Sequence, residues 1–189
     1  NPGITANDAF KPVTRYFDKI TRPEQLISSL QQALQVMLDP ADCGPACISL
    51  SQDVQGETYD YPEEFFKERI HTIRRAKPDD FQIKEAVELI KKSKKPIIIS
   101  GGGVFYSDAT DELSAFAIKH NIPVTQTVMG YSTMKKDHSH YLGVIGGLGG
   151  RAANNLSKET DTAIAIGTKL ADFTTGSWAN FENPNFKLV

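Results

Sequence analysis

The chain has 189 residues, 40% of them apolar and 23% charged, with a formal net charge of −2 at pH 7. That is enough apolar material for a sizeable core in one or two domains, and the near-balanced charge gives no electrostatic ground for a nucleic-acid or anionic-membrane partner. No apolar run approaches the roughly 20 residues that cross a bilayer, and no basic-then-apolar leader opens the chain, so a cytoplasmic location without membrane or nucleic-acid partners is expected.

Thr21-Arg22-Pro23-Glu24 has the form of a capping box, the Thr hydroxyl accepting from an early backbone N–H and Glu24 reaching back. Leu26, Ile27, Leu30, Leu34, Met37 and Leu38 recur at helical spacing, which predicts a helix over 23–38 with one buried stripe. Residues 46–51, bounded by Gly44-Pro45 and Asp53, are short and apolar enough for a strand buried in a sheet. Cys43 and Cys47 are the only cysteines. Two thiols without nearby histidines do not close a zinc site, so a loop thiol and a strand-buried thiol are expected.

From 57 to 78 the sequence is acidic, aromatic and proline-bearing, and reads as a linker with one short helix after Pro62. Asp79 and Asp80 offer N-caps to a second helix, with Ile83, Ala86, Val87 and Ile90 as its inward stripe. Lys91, Lys92, Lys94 and Lys95 form a solvated last turn. A β-branched strand follows at 96–100, then a helix over 108–120, a strand at 122–125, a helix over 150–159, a strand at 162–166 and a last strand opening at Phe186. Strands and helices in alternation predict an α/β, Rossmann-like parallel sheet with helices on both faces. The chain begins at Asn1 rather than Met and stops as an apolar run opens, which predicts a piece of a longer protein.

In such a sheet ligands bind beyond the carboxyl ends of the strands. Four segments qualify: 101–103, 127–130, 143–150 and 167–169. A G-x-G-x-x-G pattern started at Gly101 meets Tyr106 at its third glycine, whereas "GLGGRA" from Gly147 fits G-x-G-x-x-A but has no strong strand before it. Spacing alone leaves two alternatives, a nucleotide site and a tightly packed sheet edge. His138 and His140 have no convincing carboxylate or thiol partner and read as exposed loop histidines. Trp178 either stacks on a ligand or anchors its loop. No nucleophile with a base, P-loop or nucleophile elbow is present, so no catalytic residue is assigned.

The order of these motifs resembles the thiamine-diphosphate enzymes of the acetolactate-synthase type. "GPACISLSQDV" is similar to the closing strand of their pyrimidine-binding domain, with Ser51 where the family has proline. "KKPIIISGGGV", "IPVTQTVMGYSTMKKDHSHYLGVIGGLGG" and "DTAIAIGTKLADFTTGSW" are similar to successive blocks of their central domain. The resemblance covers most of the chain. It implies the C-terminal part of the pyrimidine-binding domain at 1–56, a linker at 57–78 and a central Rossmann-like domain, truncated at its C-terminal end, at 79–189. "SLSQDVQGETYDYPEEFF" and "GTKLADFTTGSWANFENPNFKLV" look most like the members that open a cyclic 1,2-dione to 5-deoxyglucuronate in myo-inositol catabolism.

What the resemblance implies is a cytosolic homodimeric or homotetrameric hydrolase of a carbon–carbon bond, with a small cyclic dione as substrate and thiamine diphosphate and Mg2+ as cofactors. The family's activating glutamate and its G-D-G…N metal segment match nothing in residues 1–189, so both cofactors would bind outside them and the chain alone is expected to be inactive. Carried over by position, a groove that holds FAD or ADP in some relatives would be lined by Gly101, Gly102, Gly103, Gln126, Thr127, Gly143, Gly167, Thr168, Lys169 and Asp172. Ile145 stands where flavin-bearing relatives have a histidine, and Lys169 where they have an arginine. A point charge does not replace a planar fork, so a groove without a tightly bound flavin is expected. The alternatives are an acetolactate-synthase-like enzyme of 2-oxo acids and a free-standing nucleotide-binding module.

Overall fold

The computed structural model describes residues 4–41 and 43–189. The chain divides after Lys77 into two compact units.

In the first unit, strands β1 (Tyr16–Ile20) and β2 (Ala46–Leu50) pair in parallel, with Tyr16 opposite Ala46 and Ile20 opposite Leu50. Parallel neighbours need a crossover, and helix α1 (Gln25–Met37) supplies it. Ile20 and Ala33 are buried, and Ser29 on α1 donates to the Asp18 carboxylate on β1. The sequence did not announce β1, because Asp18 and Lys19 interrupt its apolar pattern. The expected capping box is corrected by one residue. Gln25, not Glu24, reaches back, its Oε1 accepting from Thr21 N at 2.7 Å and Arg22 N at 2.9 Å. Cys43 is exposed and Cys47 only half-buried, since a two-stranded sheet leaves β2 partly covered. A short helix α2 (Gln52–Gln55) follows. Residues 57–66 hold an aromatic cluster: Tyr61 stacks on Phe65 at 5.1 Å and its hydroxyl donates to Pro23 O at 2.9 Å. The short helix expected after Pro62 is a single 3₁₀ turn, Glu63–Phe66.

The second unit opens with α3 (Asp80–Lys92), N-capped by Asp79, whose carboxylate accepts from Phe81 N and Gln82 N. Its stripe is only partly inward: Ala86 and Ile90 are half-buried, while Ile83 and Val87 are exposed. Strands β3 (Pro96–Ser100), β4 (Val124–Gln126), β5 (Tyr141–Val144), β6 (Thr162–Ile166) and β7 (Lys187–Leu188) form one parallel sheet in the order β5-β4-β3-β6-β7. Helices α4 (Gly102–Tyr106) and α5 (Thr110–His120) connect β3 to β4, and α6 (Arg151–Glu159) connects β5 to β6. The single helix expected over 108–120 is thus preceded by a separate short one.

Alternation along β3 sends its side chains to both faces, as period-2 geometry requires. Ile98 joins Val124, Leu113, Ala117 and Ile164 in one core, and Ile97 and Ile99 join Ile145, Ala153 and Ala163 in the other. The sheet is therefore covered on both faces, which is why the strand is a continuous isoleucine run rather than an alternating one. Strand order reverses direction at β3, so the topological switch point lies between β3 and β6.

Candidate functional site: the carboxyl edge of the sheet

All strands of the second unit run parallel, so the segments after β3, β4, β5 and β6 share one edge. At the switch point, however, the crevice is closed by backbone. A Cβ on Gly101 would stand 2.5 Å from Thr168 Cβ, and one on Gly103 2.6 Å from Gly167 Cα. Gly101 N donates to Ile166 O at 2.8 Å, and Gly103 N to Gly167 O at 2.9 Å. Val104 N is likewise taken, by Gly101 O at 3.1 Å. Of the first N–H groups of α4, the ones a phosphate would use, those of Gly103 and Val104 thus already have protein partners. Gly167 adopts φ 61°, a left-handed conformation in which glycine is unstrained.

Beyond β4 a buried polar network holds the next segment. Gln126 Nε2 donates to Thr133 Oγ1 and Met134 O, each at 3.1 Å, and Thr133 Oγ1 lies 2.7 Å from Ser100 Oγ. Thr127 Oγ1 accepts from Gly130 N at 2.9 Å, and a Cβ on Gly130 would lie 2.9 Å from Gly101 Cα. Gln126 and Thr127 are buried, their side chains committed to this network. Lys136 lies over the Tyr131 ring at 5.3 Å, and the neighbouring phenol raises the ammonium pKa.

After β5, Asn154 of α6 clamps the Gly146 peptide: its Oδ1 accepts from Gly146 N at 2.9 Å and its Nδ2 donates to Gly146 O at 3.0 Å. Asn180 Nδ2 donates to the same Oδ1 at 3.2 Å, and Gly147 N to Phe173 O at 2.8 Å. Gly146 has no room for a Cβ, which would lie 2.6 Å from Thr174 O. These bonds tie the β5 segment to the segment around α7 (Asp172–Thr175). No strong strand was expected before "GLGGRA", and the strand that precedes it, β5, is short and interrupted by Gly143.

Of the ten residues expected to line a groove, the structure brings Gly101, Gly103, Gly167 and Thr168 together. Gly102 faces Met129 O, 2.9 Å from where its Cβ would be. Gly143 lies on β5 with open space on its Cβ side, and Lys169 and Asp172 are exposed beyond β6. Asn154 is the residue the sequence reading missed. Its only signal was an asparagine pair inside a helix that follows a glycine loop.

The opposite edge carries two further clusters. Asp161 accepts from Ser93 Oγ, from Lys94 N at 2.7 Å and from Lys95 N at 3.2 Å. Burial opposes ionisation of its carboxyl, but these donors outweigh it and the pKa is lowered. His138 and His140 are half-buried rather than exposed, because each is engaged: His140 Nε2 lies 3.0 Å from Asn121 Oδ1, and His138 Nδ1 accepts from His140 N at 3.2 Å. Trp178 is 52% exposed at 5.8 Å from Phe181, so it neither caps the core nor hides its indole. Among the described residues no three His, Cys, Asp or Glu side chains converge as a metal site, and none of their helices is long and apolar enough to cross a membrane.

A parallel sheet of this order, with its helices on both faces and a glycine-lined switch point, is the central-domain architecture that the motif order anticipates. The chain belongs to the thiamine pyrophosphate enzymes, whose central domain it matches over residues 83–189. Its similarity to individual proteins extends further. It is 50% identical over all 189 residues to a 3D-(3,5/4)-trihydroxycyclohexane-1,2-dione hydrolase of Clostridium perfringens, of which it covers 30%. It is 51% identical over 186 residues, 98% of the chain, to the protein of the same name from Bacillus subtilis, covering 29% of it. With the Clostridium tetani counterpart the identity is 48% over 189 residues, again all of this chain and 29% of the relative. The chain thus spans about 30% of the length of the curated relatives it matches.

Proposed function

We propose that residues 1–189 are the middle of a hydrolase that opens trihydroxycyclohexane-1,2-dione to 5-deoxyglucuronate with thiamine diphosphate. The observation that carries this reading is the 50% identity sustained over the whole chain, beyond the central domain, to hydrolases of that name. In it, residues 1–56 close the pyrimidine-binding domain, 57–78 link, and 79–189 form the central domain. The parent is a cytoplasmic homodimer or homotetramer that also uses Mg2+.

Among the described residues no three His, Cys, Asp or Glu side chains converge to hold a metal, which supports the reading that the cofactor and its metal bind outside residues 1–189. When bound elsewhere in the parent, the cofactor supplies the carbanion that cleaves the carbon–carbon bond. The role of this stretch is structural support and substrate-independent packing. A groove without FAD or ADP is favoured by the backbone contacts that fill the switch point.

The test is substrate discrimination by the full-length protein with thiamine diphosphate and Mg2+. Conversion of the cyclic dione to an open-chain acid, with no acetolactate from pyruvate, is expected. Acetolactate formation without ring opening would overturn the reading in favour of a 2-oxo-acid enzyme.

A further inference from the structure

The buried network beyond β4 uses only the nitrogen end of the Gln126 amide. Nε2 donates to Thr133 Oγ1 and Met134 O, but among the described residues nothing donates to Oε1. The amide is not free to turn over, since Oε1 would then face the Met134 carbonyl, acceptor against acceptor. Gln126 is 1% exposed. Among the described residues, however, the side-chain polar atom sealed away without a partner is His138 Nε2. Oε1 of Gln126 is therefore not sealed, and what the residue borders is a pocket of about 200 Å³.

Tyr131, Ser132, Met134, Lys135 and Lys136 line the rest of that pocket. Met134 is buried and, with Tyr131, gives it apolar surface. Lys136 Nζ lies 5.3 Å from the centre of the Tyr131 ring. None of the ion pairs among the described residues takes Lys135 or Lys136, and Asp137, next in the chain, does not line the pocket. Ser132 holds φ 76° although it is not glycine, and strain of that kind persists where the surroundings fix it. Of the ten residues expected to line a nucleotide groove, only Gln126 borders this pocket.

The chemistry of a ligand follows from these groups. Oε1 needs a donor, and two lysines repel a cationic one, so the donor is a hydroxyl. The ammonium groups call for an anion, and a carboxylate accepts charge-assisted bonds from them. At about 30 Å³ per water, the pocket takes about six or seven non-hydrogen atoms. We infer that it is a binding site for a small hydroxycarboxylate of two or three carbons, whose hydroxyl donates to Gln126 Oε1 and whose carboxylate accepts from Lys135 and Lys136. The apolar surface of Met134 and Tyr131 favours a carbon chain over inorganic phosphate. The inference makes no use of the proposed reaction.

The test is hydrogen exchange at residues 131–136, followed by mass spectrometry, in the full-length protein titrated with glycerate. Exchange should slow saturably. Propionate, which has the carboxylate without the hydroxyl, should need about fivefold higher concentration for the same protection, and glycerol, which has hydroxyls without the charge, about tenfold higher. Lys136→Gln, at an exposed position where folding is not at stake, should raise the half-saturating glycerate concentration about tenfold. Gln126→Met should bring glycerate level with propionate. Equal protection by glycerate and propionate in the unaltered protein would overturn the inference. So would no protection by glycerate, which would leave the pocket to ordered water, equal protection by inorganic phosphate, or protection unchanged by Lys136→Gln. Because the readout is local and needs no turnover, this inference and the proposed reaction stand or fall separately.

Discussion

Replacing Gly101 by alanine tests the closed switch point. Its φ of −111° suits any residue, so the consequence comes from space alone. The new methyl would lie 2.5 Å from Thr168 Cβ, about 1 Å inside the optimal carbon–carbon separation. The β3 and β6 segments must separate, which costs about 1–3 kcal/mol as overpacking. Separation also strains Gly101 N to Ile166 O and Gly103 N to Gly167 O, each worth about 1 kcal/mol. A loss near 3 kcal/mol corresponds to a melting-temperature drop of roughly 10 °C for a domain of this size. Urea unfolding followed by circular dichroism measures it. Gly150→Ala is the control without a clash, having φ −75° and nothing near its Cβ, and as the N-cap of α6 it should cost no more than about 1 kcal/mol. Gly101→Ala equal to that control would refute the closed crevice and reopen the edge to a nucleotide.

Asn154→Ala should destabilise by about 1–3 kcal/mol through the unpaired Gly146 peptide, and hydrogen exchange at residues 146–150 should accelerate while the β3 amides stay protected. Gln126→Ala leaves Thr133 and Met134 O without their donor and should cost about 2 kcal/mol, read as a lower urea midpoint with unchanged slope. Asp161 has a lowered pKa in the folded state, so its contribution is present above the unfolded value of about 3.9 and is lost as pH falls through the folded one. The stability gap between the parent chain and Asp161→Asn, measured by urea titration from pH 7 to pH 2.5, should therefore be constant above about pH 5 and shrink below pH 4; a gap that widens in acid would contradict this.

β3 and β6 were legible to the residue, because a β-branched run buried on both faces needs no alternation to be recognised. β1 and β5 were not: Asp18 and Lys19 lie in one and Gly143 in the other, and each becomes a strand only through its parallel neighbour. The capping box expected for α1 is only half present: Gln25 reaches back in place of Glu24, while Thr21 Oγ1 donates to Gln25 Oε1 instead of accepting from an early backbone N–H. The stripe of α3 has the right periodicity, yet Ile83 and Val87 stay exposed. Periodicity defines an apolar face but not what covers it. The glycines pose the same limit. Their spacing allowed a nucleotide site or close packing, and the close packing itself became visible only with the meeting of Gly103 and Gly167, 64 residues apart in the chain.

Residues 1–189 are proposed to frame an enzyme whose cofactor chemistry resides elsewhere in the polypeptide. Calorimetric titration of thiamine diphosphate with Mg2+ into the full-length protein and into the 189-residue chain, each then assayed on the cyclic dione, tests it directly. Saturable binding and ring opening by the full-length protein, with neither in the shorter chain, is the expected result. Saturable binding to the 189-residue chain followed by turnover would contradict it.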